Sequence, residues 1–235
     1  MNNAKTLYDK EADAFDYVIP NLIPFYSEIY NILIDAIPFN EYAHINILDI
    51  GCGTGTLARK LKEKFQNSKI TCLDFSTNML KVAKSKLSEY SSDIDFLVGD
   101  FSKFNLSKKY DVIVSSFALH HIPTDIQKID LYSKIYDSLN YNGIFYNADL
   151  VLGSSSHIKN LNLKKWKEHI LNYFEEVEAL DKLLPKYQAD DNPSVLFNHL
   201  KWLDDTGFKE IETVWKYYNF AIYGGKKSQQ LELIR

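Results

Sequence analysis

Between residues 45 and 151 the apolar positions of this chain fall into short continuous runs, separated by segments of helical period. The run that ends in Asp49, then Lys69 to Phe75, Asp95 to Val98, Tyr110 to Ser116 and Ile144 to Val151, read as strands buried on both faces. Leu57, Ala58, Leu61 and Phe65 open a helical pattern, and Thr77 to Tyr90 and Asp125 to Leu139 continue it. Ser76 stands where an N-cap belongs, and Asn142-Gly143 is expected to end the third helix. Strands alternating with helices imply βαβ units, right-handed crossovers and a doubly wound, Rossmann-like α/β fold.

The alternation stops on either side. Tyr17 to Phe39 carries apolar residues at three- and four-residue spacing, interrupted by Pro20, Pro24 and Pro38, which predicts two or three helical pieces. Trp166 to Leu184 reads as one long helix, the polar stretch Gln188 to Pro193 follows, and Ser194 to Asp205 reads as another helix stopped before Gly207. Phe208 to Lys216 and Tyr217 to Gly224 then form a closing antiparallel pair, with Lys226 to Arg235 a solvated tail. The predicted plan is one domain over 1–235: a helical lid or sheet cap at 1–43, a core at 44–152, a helical insert at 153–206 and a closing hairpin with tail at 207–235.

Composition narrows the function. At 235 residues and 46% hydrophobic content the chain can bury a sizeable core, and no apolar run approaches the ~20 residues of a membrane span. The opening MNNAKTLYDKEADAFD has no basic leader before an apolar core, so no signal peptide is expected and the cytoplasm is the expected location. Cys52 and Cys72 fall in or beside strands, which argues against a disulfide framework. The spacing of His157, His169 and His199 fits no metal site, and none is expected. A net charge of −4 argues against a nucleic-acid partner. There is no internal repeat.

The chemistry is carried by Ile45 to Leu57, INILDIGCGTGTL, where glycines follow the first strand at Gly51, Gly53 and Gly55. A dinucleotide fingerprint would place its third glycine at Thr56. With Asp49 two residues ahead, the loop instead resembles motif I of the class I S-adenosylmethionine (SAM) methyltransferases. Asp74, about 20 residues on at the end of the second strand, suits a ribose diol. Asp100, with the Phe101 amide, suits an adenine amino group, and Phe75 and Met79 offer apolar surface for the purine. Ser116, ending the fourth strand, suits the methionine portion. His120 and His121 follow that strand and are the candidate general bases, His121 preferred because Ile122-Pro123 fixes its turn.

The resemblance to class I methyltransferases covers roughly residues 45–152, through Ile47 to Gly55, Leu73 to Met79, Gly99-Asp100 and Asp111 to Ser116. The ends resemble the carboxy-SAM synthase branch and its methyltransferase relatives. Ile23-Pro24-Phe25-Tyr26 is similar to a Val-Pro-Gly-Tyr stretch there, implying that Tyr26 touches the cofactor, and Trp215 to Phe220 is similar to that branch's final hairpin. The branch's carboxylate-binding arginine would fall near Leu183 to Lys186, where Lys182 and Lys186 stand instead. The resemblance implies SAM as cofactor, S-adenosylhomocysteine as product, and methyl transfer to a nitrogen or oxygen of a small-molecule acceptor by a monomer or homodimer. Two alternatives remain: a tRNA-modification enzyme with a basic face at Lys159, Lys164, Lys165 and Lys167, and a SAM-binding protein without catalysis.

Overall fold

The computed structural model describes residues 15–101, 103, 108–189 and 191–228. Seven strands form one sheet: β1 (Asn46–Ile50), β2 (Lys69–Asp74), β3 (Ile94–Val98), β4 (Tyr110–Ser116), β5 (Leu139–Leu150), β6 (Lys209–Tyr217) and β7 (Phe220–Lys226). Their order is β3-β2-β1-β4-β5-β7-β6, parallel from β3 to β5, with β7 antiparallel to both β5 and β6. The expected doubly wound sheet with a closing hairpin is therefore the fold observed. The chain moves outward in one direction from β1 through β3 and then crosses back to β4. The crevice at the carboxyl ends of β1 and β4 is thus a topological switch point, where such sheets bind ligands.

Both faces of the sheet are covered, which explains the uninterrupted apolar runs. Ile47, Val112 and Val114 pack with Leu33, Leu57 and Phe65 on one face. Leu48, Ile50 and Ile113 pack with Ile135, Phe145 and Phe208 on the other. Period-two alternation sends Asp49 to the same face as Ile47.

The helices are α1 (helical over 15–22), α2 (Tyr26–Asp35), α3 (Thr56–Lys64), α4 (Thr77–Lys86), α5 (Asp125–Ser138), α6 (Ser156–Ile170), α7 (Leu184–Gln188) and α8 (Leu196–Thr206). Pro24 separates α1 from α2, and Phe25 turns the chain at φ 59°. Ser76 caps α4, accepting from the Met79 amide at 3.1 Å. No helix among the described residues is long and apolar enough to cross a membrane.

Two local expectations are corrected. Asn142-Gly143 does not end α5: Leu139 turns extended and pairs with Tyr110, so the helix runs directly into β5. Asn142, at φ 65°, lies inside that strand, its amide held by the Lys227 carbonyl at 2.7 Å. Nor is Trp166 to Leu184 one helix. α6 stops at Ile170, where the Asn172 side chain takes the Glu168 carbonyl at 3.2 Å, and a wider π-helical turn (Val177–Leu183) follows. A side chain that bonds a terminal carbonyl competes with the next helical turn.

Candidate functional site

The glycine loop is built against its neighbours. Gly51, at φ 70°, lies so close to the segment after β4 that a Cβ there would come within 2.3 Å of the Ala118 Cβ. Gly53, at φ 53°, has nothing within 4 Å of where its Cβ would stand. Gly51 thus serves close packing, while Gly53 leaves open room; Gly55, also left-handed, begins α3. Asp74 supports the loop from β2. Its Oδ2 accepts from the Gly53 amide at 2.9 Å and its Oδ1 from the Ser76 amide at 2.8 Å. Gly51, Gly53, Asp74, Phe75, Met79, Phe117, Ala118 and His121 line one small pocket. Asp100 and Phe101 follow β3 outside that lining, with the Phe101 ring buried behind Gly51.

α1 and α2 cover the loop. Asp16 accepts from the Thr54 hydroxyl at 2.6 Å and pairs with Lys86 at 2.5 Å, tying α1 to the loop and to α4. Within α2 the Tyr30 hydroxyl donates to that of Tyr26 at 2.8 Å, and Ser116 reaches Tyr30 at 3.5 Å. The Tyr26 ring stacks near Phe117. Phe25 meets Trp215 and Tyr217 of β6, with ring centroids 6.1 and 4.9 Å away. The two terminal stretches noted in the sequence are thereby neighbours in space.

Beneath this cover lies an electrostatic imbalance. Asp49 is fully buried, and neither carboxylate oxygen has a hydrogen-bond donor among the described residues. Burial, reinforced by the nearby Asp74 charge, pushes its pKa up to about 8. An unpaired carboxylate in such a place is costly until a cation joins it.

A second, apolar pocket adjoins the first. Ile19, Leu22 and Ile23 of the cover form one side, Phe117, Trp166 and Phe220 another, and His120 and Asp191 its polar end. The Trp166 indole donates to the Leu22 carbonyl at 2.7 Å, joining α6 to α1. Phe117 lines both pockets and is held at φ 50°, a conformation uncommon for a bulky residue.

His120 and His121 part company in this arrangement. His120 is gripped on both ring nitrogens, Nδ1 at 2.5 Å from Asp149 and Nε2 at 3.2 Å from Asp191. Burial pulls its pKa down, but the two carboxylates prevail and raise it to about 10. A ring so held carries its proton at neutral pH and is not poised as a base. His121 faces the glycine-loop pocket, with Nδ1 3.4 Å from the same Asp191 oxygen. Farther in, His199 bonds the Tyr132 hydroxyl at 2.7 Å, and burial lowers its pKa to about 4.

Sequence reasoning missed Tyr30, Phe117, Asp149, Trp166 and Asp191. Asp149 carried the same signal as Asp49, a lone acid in an apolar strand. Asp191, in a polar stretch, carried none.

Comparison with known proteins agrees with this geometry. A family model described as Methyltransferase domain matches residues 47–143. A carboxy-S-adenosyl-L-methionine synthase of Nautilia profundicola is 29% identical over 224 residues, 92% of each chain. Among solved structures, the DhpI–SAM–HEP complex superposes with a TM-score of 0.65 at 14% identity, covering 95% of both chains. PigF with SAH gives 0.67 at 17% identity, over 96% of this chain and 62% of that one.

Proposed function

Because this chain belongs to the class I S-adenosylmethionine-dependent methyltransferase family, we propose that it moves the cofactor's methyl group to a nitrogen or oxygen of a small acceptor seated in the pocket beside Trp166. The observation that carries this reading is the pairing of the buried Asp49, which has no donor among the described residues, with the open room over Gly53. SAM fits both features: its ammonium answers the carboxylate, and its bulk needs a loop without a side chain. When bound, it supplies an electrophilic methyl on a sulfonium.

The roles of the chain's own residues follow. Asp74, which braces the loop through the Gly53 and Ser76 amides, is the residue we assign to the ribose diol. Phe75 and Met79 present the apolar wall for the purine, and Asp100 with the Phe101 amide, just outside that lining after β3, is assigned its polar edge. Asp49 holds the ammonium, with Tyr26 and Ser116 closing that end and the Gly51, Gly53 and Gly55 backbone supporting it. Phe117, shared by both pockets, aligns acceptor against cofactor, and alignment is the main contribution to a displacement of this kind. His121 is the residue we assign to the acceptor's proton. In this reading the chain works as one domain, with 1–43 as lid, 44–152 as cofactor core, 153–206 as acceptor insert and 207–235 as closing hairpin.

The relatives' printed activity favours a second reading, synthesis of carboxy-SAM itself. Charge weighs against it. The chain has two arginines: Arg59, engaged with Glu63 at 2.9 Å on an exposed helix face, and Arg235, outside the described residues. Lys182 is exposed, and the side chain of Lys186 lies outside the description.

Mass spectrometry separates the two. Purified protein incubated with methyl-labelled SAM and a panel of small amines and phenols should accumulate S-adenosylhomocysteine and a labelled acceptor. In a parallel sample supplied with organic acids as carboxylate donors, a SAM derivative whose labelled methyl carbon has become a carboxymethyl group, with no S-adenosylhomocysteine, overturns the methyl-transfer reading.

A further inference from the structure

His120, His121 and Asp191 converge at the boundary of the two pockets, each offering one ligand atom within 4.8 Å of the others, and His120 Nε2 and His121 Nδ1 both face Asp191 Oδ1. The shared Asp191 oxygen is 3.2 Å from the first nitrogen and 3.4 Å from the second. Metal–ligand bonds of about 2.1 Å at tetrahedral angles set neighbouring ligand atoms about 3.4 Å apart. The donor set, two imidazoles and one carboxylate, is that of open transition-metal sites.

Three further observations show that the group is built and not incidental. First, the other nitrogen of His120 is bonded to Asp149, which also accepts from the His120 amide at 3.1 Å and from Asn147 at 3.1 Å. A carboxylate behind a histidine, fixing its ring, is the usual support of a metal ligand. Second, Asp191 is delivered by a pinned segment. The Asn192 amide donates to the His120 carbonyl at 2.7 Å, Leu152 to the Ser194 carbonyl at 2.9 Å, and Lys128 to the Ser194 hydroxyl at 2.7 Å. Third, charges balance once a cation takes the place of the His120 Nε2 proton: two neutral imidazoles with Asp149 and Asp191 neutralise one divalent cation.

We propose that His120, His121 and Asp191 form a binding site for one divalent transition cation of the zinc class, with Asp149 orienting His120. The site opens toward the apolar pocket, so its remaining positions suit water or an acceptor hydroxyl. Its use in catalysis rests on the methyltransferase reading, where a cation would take over from His121 the task of favouring the deprotonated acceptor. Its existence does not rest on that reading.

The test is a Co²⁺ titration of the full-length protein after dialysis against a chelator, followed by visible absorption. One equivalent should bind with the ligand-field bands of a low-coordinate site, and Zn²⁺ should displace it. Asp191→Asn and His121→Ala should each weaken binding at least tenfold, while His157→Ala, at an exposed histidine, should not. Circular dichroism identifies a variant that fails to fold, and the wild type decides alone in that case. No ligand-field bands at millimolar Co²⁺, or binding indifferent to both variants, overturns the inference. Calorimetry with S-adenosylhomocysteine on the same samples keeps the two readings apart: cofactor binding without metal removes only the cation site, and metal binding without cofactor removes only the methyltransferase reading.

Discussion

At the scale of single residues, Asp49 and Asp74 make the sharpest demands. Asp74→Ala removes buried hydrogen-bond acceptors and should weaken S-adenosylhomocysteine binding by ~1–3 kcal/mol in calorimetric titration. Asp49 makes affinity depend on pH. Its folded pKa of about 8 lies above the ordinary carboxylate value, so below pH 8 the cofactor-free protein holds a proton there that an ammonium must displace. Affinity should therefore rise between pH 6 and 8, by up to about tenfold per unit, and level off above. The same raised pKa means that Asp49's contribution to stability is full below about pH 4 and is lost as pH rises through 8. Asp49→Asn should thus melt higher than wild type at pH 9 yet bind S-adenosylhomocysteine poorly, with a flat pH profile. A variant that loses stability and keeps affinity would contradict the role given to this carboxylate.

The glycine loop and the helices over it make their predictions as elements. Gly51→Ala forces both a left-handed alanine and an overlap with Ala118, so the fold itself should suffer, by more than the ~1–2 kcal/mol of backbone strain alone. Gly53→Ala meets open space and should cost only about that strain, while cofactor binding falls far more. Comparing denaturant midpoints with binding constants for the pair separates packing from recognition. Trp166→Phe removes the indole bond to the Leu22 carbonyl, with a stability loss of ~0.5–1.5 kcal/mol. Because that bond joins α6 to α1 beside the apolar pocket, acceptor KM should rise while S-adenosylhomocysteine affinity holds.

Acid sensitivity belongs to the whole molecule. His199 sits among Tyr132, Trp202 and Tyr223, where α8 packs against the sheet, and burial depresses its pKa to about 4. A depressed folded pKa contributes stability that is present above the unfolded value near 6.5 and is lost as pH falls through 4. Melting temperature should therefore decline across that window, and His199→Gln should flatten the decline. An unchanged slope in the variant would place the acid sensitivity elsewhere.

The sequence alone determined the alternation of strand and helix, the closing hairpin and the glycine loop with its acids. Each of these is a local matter: burial on both faces demands continuous apolar runs, and a strand-to-helix turn with left-handed backbone demands glycine. It misread Asn142-Gly143 and the span of α6, because strand pairing with Tyr110 and a side-chain bond at Glu168 overrode local preference. Only the tertiary structure separated His120 from His121, since Asp149 and Asp191 stand 29 and 71 positions beyond His120 in the chain. Only it seated Trp166 against Leu22 and left Asp49 without a donor among the described residues. Long-range contacts decide the charge state and the company of a side chain, and no pattern along the chain encodes them.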